Sequence, residues 1–198
     1  LLPRPQPSHP SEIAVPDPLP SFTYAPSRRT DLAQLVALRA YVDGLSAQEP
    51  KTAAVIASSF TFNSSIYDNT YRSLNIPQPE GPATSIIYFA TVDKRDGFSW
   101  GALEADYLIV ADPVQTHLGE ENQHLVTLLA QPVLEGTGIG TAYERLDVSF
   151  PLESGVTVYV YQRTRDITAE EYQGISDTLT ALYPDYAAQY QAPAGAGA

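Results

Sequence analysis

The chain has no cysteine, no methionine, only three histidines and few cations. Without cysteine there are no disulfides, thiolate zinc sites, iron–sulfur clusters or cysteine nucleophiles. Lys and Arg number 11 against 23 Asp and Glu, a formal charge of −12, which argues against nucleic acid as a partner because no cationic surface is available for phosphates. No stretch approaches the ~18 consecutive apolar residues of a membrane span, and no basic–apolar–small signal pattern is present. Since Met is absent even at position 1, the expectation is a processed or excised piece of something longer. Any anchor or address of the parent then lies outside this segment.

What is present is globular. The 198 residues are 43% hydrophobic and 17% charged, and a chain of this length hides roughly 70% of its unfolded surface without staples. Eight of the 17 prolines fall within the first 26 residues, where about one is expected at ~5% background usage. Proline fixes φ and removes a donor, so residues 1–29 read as an extended linker and residues 30–187 as the folded domain. The Ala/Gly-rich end, residues 188–198, reads as a disordered tail. No internal repeat is evident.

Within the domain, helical and strand periodicities alternate. Asp31 to Gly44 predicts a helix, with Asp31 capping over Gln34, Leu35, Leu38, Val42 and Leu45 on one face, and Gly44 as the stop. Buried strands are expected at Thr52–Ser58, Ser85–Thr91 and Tyr107–Ala111, from short apolar runs. Asn63–Leu74 and Glu120–Glu135 carry helical spacing, with Pro132 bending or ending the second. Tyr143–Phe150 and Val156–Arg163, joined by Glu153-Ser154-Gly155, predict a hairpin. Thr168 with Glu171 forms a capping box opening a last helix to about Tyr183. This order predicts an α/β fold: a mostly parallel, Rossmann-like sheet with helices on both faces and a late antiparallel hairpin.

Two segments are candidates for ligand binding. Asp112, Gln115 and His117 follow an apolar strand, where ligands gather in open α/β sheets, although Asp-Pro is also ordinary turn chemistry. Gly136, Gly138 and Gly140 imitate a dinucleotide fingerprint, but here a helix precedes the glycines and a strand follows. That reversal presents the wrong end of the helix dipole to phosphate, so the run reads as a helix-to-strand connection that still permits close approach. Glu121 and His124 sit at i, i+3 with Glu120 and His117 nearby, yet nothing repeats the pair, and neither metal nor cofactor is expected. Ser58-Ser59 lacks a nucleophile elbow, and the histidines give no assignable triad, so no catalytic residue is assigned. Asn63-Ser64-Ser65 matches a glycosylation acceptor. The 13 tyrosines serve sheet packing or sugar contact.

Three phrases carry a family likeness: Ala105 to Leu118 (ADYLIVADPVQTHL), Gly136 to Leu146 (GTGIGTAYERL) and Gly155 to Tyr161 (GVTVYVY). Together they resemble the C-terminal soluble region of bacterial polytopic membrane glycosyltransferases of the dolichyl-phosphate-mannose protein mannosyltransferase type (family 39-like, GT-C architecture). The resemblance spans roughly Asp31 to Asp185. It implies a polyprenyl-phosphate sugar donor, catalytic acidic residues in loops of the membrane part, and an extracytoplasmic position for this segment. No position here matches the catalytic motif. The resemblance further implies the membrane-embedded part of the same chain as partner, and a glycan or protein acceptor. Leu1-Leu2 would end the last span, the proline-rich stretch would space the domain from the bilayer, and the negative charge would keep it off anionic headgroups.

Read from the residues alone, two other classes stay open. One is a soluble doubly wound enzyme, or a sugar- or nucleotide-binding module, with a pocket near Asp112, His117 and the 136–142 loop. The other is an interaction module using a tyrosine-rich hairpin edge.

Overall fold

The computed structural model describes residues 29–73 and 83–197. The proline-rich start, the end of the second expected helix at Leu74, and Ala198 lie outside the described residues. In chain order the elements are α1 (Leu32–Gly44), β1 (Thr52–Ile56), α2 (Ser64–Asp68), α3 (Thr70–Ser73), β2 (Ser85–Ile87), β3 (Tyr107–Asp112), α4 (His124–Glu135), β4 (Tyr143–Pro151), β5 (Thr157–Arg163) and α5 (Ala169–Leu182). Among the described residues, no helix is long and apolar enough to cross a membrane.

The fold is α/β, with one five-stranded mixed sheet in the order β2-β1-β3-β5-β4. β1 pairs in parallel with β2 and with β3, in register Ala53↔Ile86 on one side and Ala53↔Tyr107 on the other. β5 then lies antiparallel to β3 and to β4. Two of the four strand pairings are parallel, so the sheet is mixed and only partly parallel, less so than the expected mostly parallel one. The late antiparallel hairpin is present as expected: it is added beyond β3, with β5 beside β3 and β4 at the edge, so half of the pairings are antiparallel.

Alternation along the central strands builds two cores. Ala54, Ile56, Leu108 and Val110 face α4 and α5, joining Leu125, Leu129, Val133, Ile175 and Leu179. Ala53, Val55, Ile109 and Ala111 face the opposite way, against Leu35, Leu38 and Val42 of α1 and Tyr67 of α2. In β5 the same period sends Val158 and Val160 to one core and Tyr159 and Tyr161 to the other. These tyrosines are sheet-packing residues. The outer strand β4 instead exposes Glu144, Arg145 and Asp147 and shifts register between Arg145 and Ser149, features that discourage edge-to-edge pairing. The tyrosine-bearing strand is thus interior, and the hairpin's edge is charged.

Helix termini depart from local expectation where distant groups intervene. Asp31 makes no side-chain cap on α1. Its carboxylate takes Arg29 in two bonds, 2.9 Å from Nε and 2.8 Å from Nη2, and accepts the Glu153 amide at 2.9 Å. The carboxylate's bonds thus go to a bidentate charge-assisted pair and to a distant amide, and none to the amides of α1. α4 begins at His124, after a 3₁₀ turn over Glu120–Asn122. Pro132 sits inside it without ending it, because burial of Val133 beyond the proline offsets the single lost backbone bond. The capping box at Thr168 and Glu171 forms as the sequence predicts. At the C-terminal end Tyr190 is fully buried, and Ala192 and Ala196 pack against the first core.

Candidate functional site

From β1 the chain passes to β2 on one side, then crosses to β3 on the other. Connections leaving in opposite directions open a crevice beyond the carboxyl ends of the parallel strands. A cleft of about 240 Å³ lies there. Ser58, Ser59 and Phe60 enter it from the end of β1, Tyr88 and Thr91 from the end of β2, and His117 from the loop after β3. Asn63, at the start of α2, closes one side.

The polar floor is held by interlocking bonds. Ser59 Oγ donates to Gln115 Oε1 at 2.6 Å and accepts the amides of Thr61 and Phe62 at 3.1 and 3.0 Å. Its hydroxyl is saturated and is a turn-former, not a nucleophile. Gln115, buried, donates from Nε2 to the Pro113 carbonyl at 2.7 Å and accepts the Ser58 amide on its own backbone oxygen at 2.8 Å. Asn63 Oδ1 accepts the Ile66 amide at 2.8 Å, capping α2, while Nδ2 donates to the Ser59 carbonyl at 2.7 Å. The amide nitrogen that a glycan would need is therefore committed to the fold.

His117 is fixed from beneath by Gln123, whose side chain is fully buried. Gln123 Oε1 accepts the amides of His117 and Leu118 at 2.7 and 2.8 Å, and Nε2 donates to the Thr91 carbonyl at 2.9 Å. One side chain thus ties the loop after β3 to the loop after β2. His117 Nδ1 lies 2.7 Å from the Ser58 carbonyl and 2.9 Å from Ser58 Oγ. A carbonyl only accepts, so the ring proton belongs on Nδ1. Nε2 is left as an acceptor with no partner among the described residues. In that tautomer the imidazole cannot take the Ser58 proton through Nδ1, and among the described residues no Asp or Glu lines the cleft to orient it otherwise.

Of the sequence candidates, only His117 lines this cleft. Gln115 supports its floor. Asp112 ends β3 exposed, opposite Thr157, with a cis peptide to Pro113. Gly136, Gly138 and Gly140 lie at the other end of the sheet. β4 runs in the same direction as β3, so the loop leading into β4 sits by the amino end of β3, where the Thr164 amide bonds the Ala142 carbonyl and the Arg163 amide bonds Asp106. A separate depression of about 540 Å³ borders Gly136 there. The structure does not bring Asp112 and the glycine loop together. The close approach the glycines permit is to their own helix: a Cβ on Gly140 would stand 1.9 Å from the Pro132 carbonyl oxygen.

The serines, Asn63, Tyr88 and Gln123 carry no motif that marks them. The available signal was topological: two apolar strands, Thr52–Ser58 and Tyr107–Ala111, are adjacent and parallel, which places Ser58 beside His117.

The second histidine group is structural. Buried Asp93 accepts the amides of His124 and Leu125 at 2.7 and 3.0 Å, the Tyr183 hydroxyl at 2.5 Å, and His124 Nδ1 at 3.0 Å. It caps α4 from a distance and holds the C-terminal segment to it. Burial first, then the hydrogen bond to Asp93, pushes the Tyr183 hydroxyl well above its ordinary pKa. Among the described residues no group of His, Asp and Glu is gathered to hold a metal ion.

Compared with known protein families, curated proteins and solved structures, the chain matches none.

Proposed function

We propose that this chain is an accessory extracytoplasmic domain of a polytopic membrane glycosyltransferase that uses a polyprenyl-phosphate sugar donor. Catalysis resides in the membrane-embedded part, and this domain positions acceptor or shapes access to the site. The observation that carries the reading is the likeness of the three phrases to the family 39-like, GT-C enzymes. Those phrases are separated in sequence yet meet in the fold: they supply β3 with the His117 loop, the connection into β4, and β5, three adjacent strands. They describe one structural unit. We read the β2–β1–β3 portion, with helices on both faces, as Rossmann-like.

The chemistry of the cleft agrees with a non-catalytic role. Among the described residues its lining holds hydroxyls, an amide, aromatics and one imidazole, with neither an acidic pair nor a cation. The partner in this reading is the membrane part of the same chain, with a glycan or protein as acceptor, and the place is the outer face of the cell membrane. Localisation is tested in cells expressing the full-length parent with an epitope after Gln191. The tag should be reached by protease from outside intact cells and should stay with membranes through alkaline extraction. A tag protected in intact cells, or released by alkali, overturns the reading.

A further inference from the structure

Among the described residues, the two most exposed large hydrophobic side chains are Phe60, 87% exposed, and Tyr88, 65% exposed. They belong to different loops, one after β1 and one after β2, yet both line the same cleft. Several aromatic residues outside the cleft are instead spent on packing: Tyr67, Phe62 and Tyr190 are fully buried. Scattered exposed hydrophobics need no account, but two aromatic rings beside one polar crevice do. Phe60 lies edge-on to His117, with ring centroids 6.0 Å apart.

Between these rings the lining is hydroxyl-rich and, among the described residues, carries no Asp, Glu, Lys or Arg. A nucleotide or sugar phosphate would leave its charge without a counter-ion there, a costly desolvation. A purely apolar ligand would strand the Ser58 and Thr91 hydroxyls and His117 Nε2. A sugar ring satisfies both constraints, having an apolar C–H face for an aromatic ring and an equatorial belt of hydroxyls that donate and accept. With Nδ1 committed to the Ser58 carbonyl at 2.7 Å, His117 offers Nε2 as an acceptor, while serine and threonine hydroxyls serve either role. The volume, about 240 Å³, is below the roughly 300 Å³ at which pockets for drug-sized ligands begin, which suits one ring and not a long oligosaccharide.

We infer that the cleft between Phe60, Tyr88 and His117 is a binding site for a single neutral sugar residue, of the kind found on a glycan acceptor. The inference deepens the reading above and rests on it only for the source of the sugar. Gln123 and Gln115 are positioning residues, since they hold the His117 loop and the Ser59 turn without lining the cleft.

The test is ligand-observed saturation-transfer NMR on the 198-residue chain. The probes are the methyl glycosides of glucose, galactose, mannose and arabinose, with mannose 1-phosphate as the donor-like anion. At least one neutral glycoside should receive saturation at about 10 mM, in the weak-affinity range of unlinked sugars. The signal should fall at least about tenfold in the Phe60→Ala/Tyr88→Ala double variant, which exposes no core and so keeps its fold by circular dichroism. Tyr186→Ala, removing an exposed tyrosine outside the cleft, should leave it unchanged. No transfer to any neutral glycoside overturns the inference. So does transfer to mannose 1-phosphate alone, or a signal indifferent to Phe60 and Tyr88. Sugar binding by a chain whose parent proves not to be membrane-bound would leave this site standing and remove the proposed function instead.

Discussion

Asp93 shows how much a single side chain decides. Its carboxylate satisfies two amide donors at the start of α4 and takes the Tyr183 hydroxyl and His124 Nδ1 as well. Asp93→Ala should cost about 3 kcal/mol, because it orphans buried donors and a helix start together. Tyr183→Phe removes one donor and should cost about 1 kcal/mol. Urea unfolding of the two variants measures both, and equal small losses would refute a capping role for Asp93. Glu171 offers a test in pH. Arg165, bonding at 2.7 and 2.8 Å, and the Thr168 amide and hydroxyl hold its carboxyl down to about 2 from its ordinary value of 4.5. A folded-state pKa below the unfolded one stabilises above about pH 4.5, and that stability is lost as pH falls toward 2. Glu171→Gln should therefore cost up to about 1 kcal/mol at pH 7, discounted for solvent screening, and almost nothing at pH 2. A difference that persists unchanged at pH 2 contradicts the assignment. The capping box was legible in the sequence because Thr168 and Glu171 are three residues apart. The Asp93 cap was not, because 31 residues separate it from His124.

At the scale of elements, the join between α4 and β4 turns on two glycines that act for different reasons. Gly138 has φ +48° and open space around it, so Gly138→Ala pays only a conformational penalty of about 1 kcal/mol. Gly140 has no need of a left-handed backbone, but a Cβ there would collide with the Pro132 carbonyl at 1.9 Å and Val133 Cα at 2.9 Å. Gly140→Ala should cost about 3 kcal/mol and depress the melting temperature roughly three times as far as Gly138→Ala. Equal shifts by calorimetry would mean that the loop moves aside freely. The existence and type of the long elements could be read from periodicity, since hydrophobic spacing is a local property. Their ends could not. Periodicity predicts strands over Thr52–Ser58 and Ser85–Thr91, yet pairing stops at Ile56 and Ile87. The residues beyond leave the ladder to form the cleft, and Ser58, Ser59, Tyr88 and Thr91 carry no local mark of that change.

For the whole molecule, the order of elements pointed to α/β, and the sheet is α/β, but its mixed character depends on where β5 inserts. Hydrophobic pattern places the hairpin without saying which neighbour it takes. The same blindness joined Asp112 to the glycine loop in one pocket, because sequence order does not say that β4 runs alongside β3 in direction and so puts that loop at the far end. The proposed function rests on the three family-like phrases alone, and the cleft chemistry was accessible only through the fold. The central claim is that this domain serves a reaction whose reactive groups lie elsewhere in a membrane-bound parent. The most direct measurement is sugar transfer from a polyprenyl-phosphate donor, comparing membranes carrying the full-length parent, the parent lacking residues 30–187, and this chain alone. The account predicts transfer by the parent, a severalfold rise in acceptor KM on deletion, and no turnover by the isolated chain. Turnover by the isolated chain, abolished by Ser58→Ala or His117→Ala, would contradict it.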